Sequence, residues 1–161
     1  MDTVDLLLSQ WRAERPDLDV SVLGISIRVE VLAKLLRRGT AASLAQVGLK
    51  PWEYDVLSAL CRQGKPYSLP ATELAKTSLL TPGAMTTRID QLEAQRLVKR
   101  EPDPDDRRGV RVKLTRKGRA TVDRAIEARL EAAESAVEDL TKRERSVAEH
   151  ALRILLQSVE V

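Results

Sequence analysis

The stretch from Ser68 to Leu114 leaves this chain few folds to adopt. Gly64-Lys65-Pro66 stops a preceding helix, and Ser68-Leu69-Pro70-Ala71-Thr72-Glu73-Leu74 begins a short one with Leu74 and Ala75 facing inward. Beyond Thr77, the run Thr81-Pro82-Gly83-Ala84-Met85 starts another. Thr81 is a good N-cap, because its oxygen accepts from an otherwise unpartnered N–H, and Pro82 at the first helical position removes no needed donor. Met85, Ile89 and Leu92 are spaced 4 and 3, so they share a face that anchors this second helix to a core. Opposite them lie Pro82, Gly83, Thr86, Thr87, Asp90 and Gln91, with Arg88 at the edge between the faces. These small or hydrogen-bonding groups let the backbone approach a nucleic-acid groove closely. A merely solvated polar face would read the same way from this helix alone.

The next segment narrows the choice. Leu97-Val98-Lys99-Arg100-Glu101 and Val110-Arg111-Val112-Lys113-Leu114 alternate apolar with charged residues, as half-exposed strands do. Between them Pro102-Asp103-Pro104-Asp105-Asp106-Arg107-Arg108-Gly109 is rich in turn formers and basic at its tip. Two short helices, the second freshly capped, followed by a hairpin predict a helix-turn-helix carrying a wing. That lobe spans residues 49–118. Lys50-Pro51-Trp52-Glu53 opens its first helix, with Val56, Leu57 and Leu60 facing the core.

The flanks are helical. Residues 2–13, with Leu6, Leu7, Leu8 and Trp11, form a short helix broken at Arg15-Pro16-Asp17. Asp17 or Asp19 caps a second, whose Val22, Ile25, Val29, Leu32 and Leu36 are spaced 3, 4, 3 and 4. Gly39-Thr40 is expected to end it, with a weaker helical piece from Ala41 to Val47. After the hairpin a long helix carries Val122, Ile126, Leu130, Ala133, Val137 and Leu140 on one stripe. The capping-box sequence Thr141-Lys142-Arg143-Glu144 starts a last helix with Val147, Ala151, Ile154 and Leu155. A lobe of this size cannot cover both terminal stripes. Residues 1–48 and 119–161 are therefore expected to form a dimerisation layer, giving a mainly α homodimer with a small β-wing. A monomeric helical core is the alternative.

Charge supports this division. The net charge is +3, but residues 88–120 hold eleven Lys/Arg against six Asp/Glu, while residues 121–161 hold six against nine. Positive charge gathered on one stretch suits a polyanion partner. Other functions lack their residues. A lone Cys61, set among Val56, Leu57 and Leu60, excludes an internal disulfide and reads as a small buried hydrophobe. One histidine, His150, and no Gly-rich phosphate loop leave no metal site, no cofactor site and no catalytic dyad, so an enzyme is not expected. No apolar run approaches bilayer length and the N-terminus lacks a basic secretion start, which places the protein in the cytoplasm with no membrane partner.

From Ile25 to Leu155 the sequence resembles the MarR family of regulators. The resemblance is most specific over Leu80-Thr81-Pro82-Gly83-Ala84-Met85-Thr86-Thr87-Arg88-Ile89-Asp90-Gln91-Leu92-Glu93 and over Asp105 to Gly118. It implies a two-fold homodimer that binds an inverted-repeat operator in double-stranded DNA, with the recognition helix in the major groove and wing arginines in the minor groove. The DNA contacts it implies are Thr81, Pro82, Gly83, Thr86, Thr87, Arg88, Gln91, Arg107, Arg108 and Arg111. Most members are repressors released by a ligand; a regulator acting by occupancy or through a protein partner is the alternative. Trp11 followed by Arg15-Pro16-Asp17-Leu18-Asp19 is similar to a urate- and organic-acid-responsive branch with an extra N-terminal helix. That likeness implies a ligand site of Trp11, Asp55, Arg88 and Arg108, with Arg107 as a register alternative, for a small organic acid or purine effector. The absence of any histidine outside the last helix departs from that branch. Each residue also has a plainer role: Trp11 can staple its helix to the core, Asp55 can cap or pair locally, and Arg88 can touch only phosphate.

Overall fold

Asp2 sets the first helix. Its carboxylate accepts from the backbone N–H groups of Val4 and Asp5 at 2.8 and 2.9 Å, and the Asp5 carboxylate accepts in return from the Asp2 N–H. This capping box starts α1, Thr3–Glu14, in the computed structural model, which describes every residue except Asp105, Arg107, Arg108 and Val161. The chain divides into two units, Met1–Gly39 and Thr40–Val161. In the first, Val4, Leu8 and Val20 form a small core with Ile27 packed against it. The Arg28 guanidinium donates to the carboxylates of both Asp2 and Asp5, fastening the second helix to the cap of the first.

That second helix, α2, runs from Leu23 to Gln46 without a break. The stop expected at Gly39-Thr40 does not occur. A single glycine inside a helix costs only about 1 kcal/mol relative to alanine, less than interrupting a long run of hydrogen bonds. The helix ends instead at Gly48, whose φ of 75° suits glycine, where the Gly48 and Leu49 N–H groups turn back to the carbonyls of Ala45 and Leu44. Val29, Leu32 and Leu36 of the apolar stripe stand exposed on the single chain.

The second unit is built around α3, Pro51–Arg62, whose Val56, Leu57 and Leu60 are fully buried. A short strand β1, Ser68–Pro70, comes next, then α4, Ala71–Thr77, and α5, Pro82–Ala94. Strands β2, Val98–Pro102, and β3, Val110–Leu114, form the wing, and α6, Arg116–Ser135, and α7, Lys142–Val159, complete the chain. Ser68 to Pro70 were expected to open a helix. They pair instead antiparallel with β3, Leu69 opposite Val112, in a sheet of order β1-β3-β2. Proline disfavours helix at the residue before it, so Leu69 stays extended and the helix waits for Ala71.

The wing packs directly on the start of α6. A Cβ on Gly118 would lie 1.9 Å from the Leu97 carbonyl oxygen, so only glycine fits there. Helix α6 also stops earlier than its apolar stripe suggests, at Ser135, leaving Val137 and Leu140 in turns. Glu134, Glu138 and Asp139 crowd this end, where the helix dipole disfavours negative charge. Thr141 and Glu144 then form the expected capping box for α7. Helix α7 buries none of its residues: Val147, Ile154, Leu155 and Leu156 are all exposed.

Candidate nucleic-acid interface and adjoining pocket

Helix α5 is held by its apolar face, with Met85, Ile89 and Leu92 buried, and capped by Thr81, whose hydroxyl oxygen accepts from the Ala84 N–H at 3.3 Å. Its other face, bearing Pro82, Gly83, Thr86, Thr87, Asp90 and Gln91, is open to solvent. The Thr86 and Thr87 hydroxyls donate back to the carbonyls of Pro82 and Gly83, which turns their oxygen lone pairs outward as acceptors. Asp90 alone would repel phosphate. Arg100 on β2 removes that obstacle, pairing with both Asp90 and Glu93, while its own backbone N–H donates to Glu93. The same contacts tie α5 to the first wing strand. Burial opposes the charge on Arg100, but the hydrogen bonds to the two carboxylates outweigh it and raise its pKa.

In the wing, Arg111 is turned onto its base. Its Nε donates to the Ser68 hydroxyl at 3.3 Å, and its Nη1 lies 3.6 Å from a carboxylate oxygen of the largely buried Asp103. The expected contacts Arg107 and Arg108 lie outside the described residues.

A pocket of about 360 Å³ opens behind α5, within the second unit. Asp55, Ser58, Ala59 and Arg62 line it from α3, Leu79 from the α4–α5 turn, Arg88 from α5 and Arg129 from α6. Arg88 lies over the Trp52 ring at 5.3 Å, and Arg129 over the Tyr54 ring at 5.6 Å. Arg129 also donates to the Thr40 hydroxyl at 3.2 Å, and Arg62 to the Ser58 hydroxyl at 3.1 Å.

Comparison with known proteins settles the lineage. Residues 47–109 match the model of the MarR family. Over 96% of its length the chain is 30% identical to the HTH-type transcriptional regulator PecS of Dickeya dadantii, spanning 90% of that protein. The chain belongs to the MarR family. Among solved structures it is similar to Sco3205, a MarR family transcriptional regulator from Streptomyces coelicolor solved in complex with DNA, at 25% identity and a TM-score of 0.75. That match covers 89% of this chain and 91% of the other. It is also similar to RV1404 from Mycobacterium tuberculosis, at 26% identity and a TM-score of 0.73 over 89% and 97% of the two chains. The chain is thus a MarR-family DNA-binding transcriptional regulator with a winged helix-turn-helix, and its relatives are regulators rather than enzymes. No helix among the described residues is long and apolar enough to cross a membrane.

Of the four expected ligand residues, the MarR lobe brings Asp55 and Arg88 onto one pocket. Trp11 lies on α1, in the first unit, 46% exposed, and Arg108 is outside the described residues. Sequence reasoning passed over Arg62, although Asp55, Ser58, Ala59 and Arg62 fall at i, i+3, i+4 and i+7, one face of α3. Arg129 comes from a helix distant in sequence and left no local signal. Glu53 was missed too: it is buried, and its carboxylate accepts from the Lys50 N–H and from Gln95 Nε2 at the end of α5. Cys61 was expected to be a small buried hydrophobe; it is only partly buried, and its sulfur accepts from Arg119 at 3.0 Å.

Proposed function

We propose that the protein is a homodimeric repressor of an inverted-repeat operator, released by a small anionic or purine-like ligand. The observation that carries DNA reading is the open face of α5, small and polar, with its Asp90 charge neutralised by Arg100. On this reading Thr81, Pro82, Gly83, Thr86, Thr87 and Gln91 face the major groove and Arg88 meets phosphate or ligand. Arg107 and Arg108 serve the wing in the minor groove, and Arg111 reaches DNA only by leaving Ser68 and Asp103 at the base of the wing. Residues 1–48 and 119–161 serve dimerisation and residues 49–118 serve DNA. The exposed apolar face of α7 supports that division, since a second copy would cover it.

Ligand release draws support from Arg88. It lines the pocket while belonging to the recognition helix, so a ligand preferring a DNA-incompetent arrangement shifts the population by its differential affinity, typically about 5–150-fold. The test is fluorescence anisotropy on duplexes selected by the protein from a random pool. Arg108→Ala is expected to weaken binding strongly with the fold intact, and affinity should fall roughly 10³-fold or more between 50 and 200 mM salt if six or more phosphates are contacted. Salt-independent binding, or unchanged affinity in Arg108→Ala, would count against the reading. Trp11→Ala and Asp55→Asn are expected to lose the ligand response.

A further inference from the structure

Three guanidinium groups from three helices, Arg62, Arg88 and Arg129, line the pocket behind α5, and one carboxylate, Asp55, lines it with them. None of the three forms an ion pair among the described residues, whereas Arg100, Arg111 and Arg119 of the same unit all face carboxylates. Their positions are nevertheless fixed by neutral groups: Trp52 under Arg88, Tyr54 and the Thr40 hydroxyl for Arg129, and the Ser58 hydroxyl for Arg62. Bracing of this kind orients a guanidinium without cancelling its charge. Stacking by the ring face also leaves the N–H edge free for a planar anion.

We infer that this pocket binds a small organic dianion, with two carboxylates on a short scaffold, held chiefly by Arg62 and Arg129 with Arg88 as the link to the recognition helix. This rests on the ligand-released reading above and adds both the ligand's charge and two residues to it. A monocarboxylate satisfies one guanidinium and leaves the others uncompensated, and a neutral purine satisfies none. The volume sits at the small end of ligand sites, which run from about 300 to 1,000 Å³, so the scaffold is compact. Leu79, 94% exposed in the α4–α5 turn, offers its carbon chain an apolar contact at the rim. A hydroxyl on the scaffold gives Asp55 a donor, which favours a hydroxylated dicarboxylate.

The test is calorimetric titration of the full-length protein with malate, succinate, acetate and hypoxanthine at matched ionic strength. Malate and succinate are expected to bind, acetate at least about tenfold more weakly, and hypoxanthine without detectable heat. Arg62→Gln and Arg129→Gln should each weaken malate by about tenfold or more, the size of one charge-assisted contact, whereas Arg124→Gln, exposed on α6 and outside the pocket, should retain it. Circular dichroism melting checks that each variant is folded; Arg62, at an exposed helix end, carries the test should Arg129→Gln be unstable. Equal affinity for acetate and malate, or undiminished malate binding in folded Arg62→Gln, would overturn the proposal. Release of a selected operator duplex is measured in parallel. Malate that binds with these dependences but leaves the duplex bound overturns ligand release and supports the site. A purine that releases the duplex, with Arg62→Gln and Arg129→Gln responding normally, overturns the site and supports release.

Discussion

Two glycines of the second unit have opposite surroundings. At Gly118 an added methyl would meet the Leu97 carbonyl, and that carbonyl is itself fixed by the Thr115 N–H at 3.0 Å. Gly118→Ala is expected to cost about 3 kcal/mol, the upper end of ordinary overpacking, read as a lowered urea midpoint with an unchanged slope. At Gly83, in the first turn of α5, an added methyl meets nothing. Gly83→Ala should therefore raise stability by about 0.5–1 kcal/mol through the unfolded chain while weakening DNA binding, because the backbone can no longer approach a groove as closely. Equal operator affinity in that variant would remove α5's first turn from the interface. Charge at single residues gives a pH dependence in the first unit. Hydrogen bonds from Arg28 hold the Asp2 carboxyl below its usual value, and the Asp2 N–H followed by Arg28 does the same for Asp5. A depressed carboxylate stabilises fully above its unfolded value of about 3.8 and loses that contribution as pH falls through the lower folded one. Protection factors for amide exchange in α1, taken relative to the intrinsic rate at each pH, should accordingly fall on acidification through that range, and Arg28→Met should reduce the effect, leaving the part that the backbone N–H groups supply.

Among the elements, those signalled by adjacent residues were legible in the sequence. Thr81-Pro82 opens α5, Thr141 and Glu144 open α7, and the alternating residues of β3 form its strand, because caps and alternation act over a few positions. What pairing over distance decides was not, nor what local charge decides against an apolar stripe. Strand β1 exists because β3 lies beside it, and the stop of α6 reflects acidic residues that an apolar stripe does not register. The pocket divides the same way. Asp55 and Arg88 were legible through family resemblance and Arg62 through helical spacing, while Arg129 becomes a neighbour only when α6 packs on α3. The Arg100 bridge between β2 and α5 is likewise a tertiary fact, and it predicts a coupling between elements. Arg100→Met should reduce operator affinity by about tenfold, since it leaves Asp90 unneutralised beside phosphate and frees the helix from the wing. Asp90→Asn in that background should restore part of the loss. Full additivity of the two substitutions would show that neutralisation of Asp90 plays no part.

For the molecule as a whole, the apolar side chains left uncovered are what predict an assembly. Helix α7 exposes Val147, Leu152, Ile154, Leu155, Leu156 and Val159, apolar surface that a single chain leaves in water. A second copy covering it would form an interface on the order of 2,000 Å² or more, typical of obligate dimers. Ile154→Glu with Leu155→Glu is expected to give monomers in sedimentation velocity and to lose high-affinity DNA binding together with the dimer; a folded monomer for the unmodified protein would sink this. In such a dimer, two copies of the α5 face are expected to read DNA as a pair. Selection of duplexes from a random pool, followed by footprinting of the enriched sequence, tests it most directly. The expected product is an inverted repeat with half-site centres one helical turn, ~34 Å, apart, protected on both halves by one dimer. An enriched site with a single half, protected by one protomer as strongly as the repeat, or no enriched sequence at all, would contradict it.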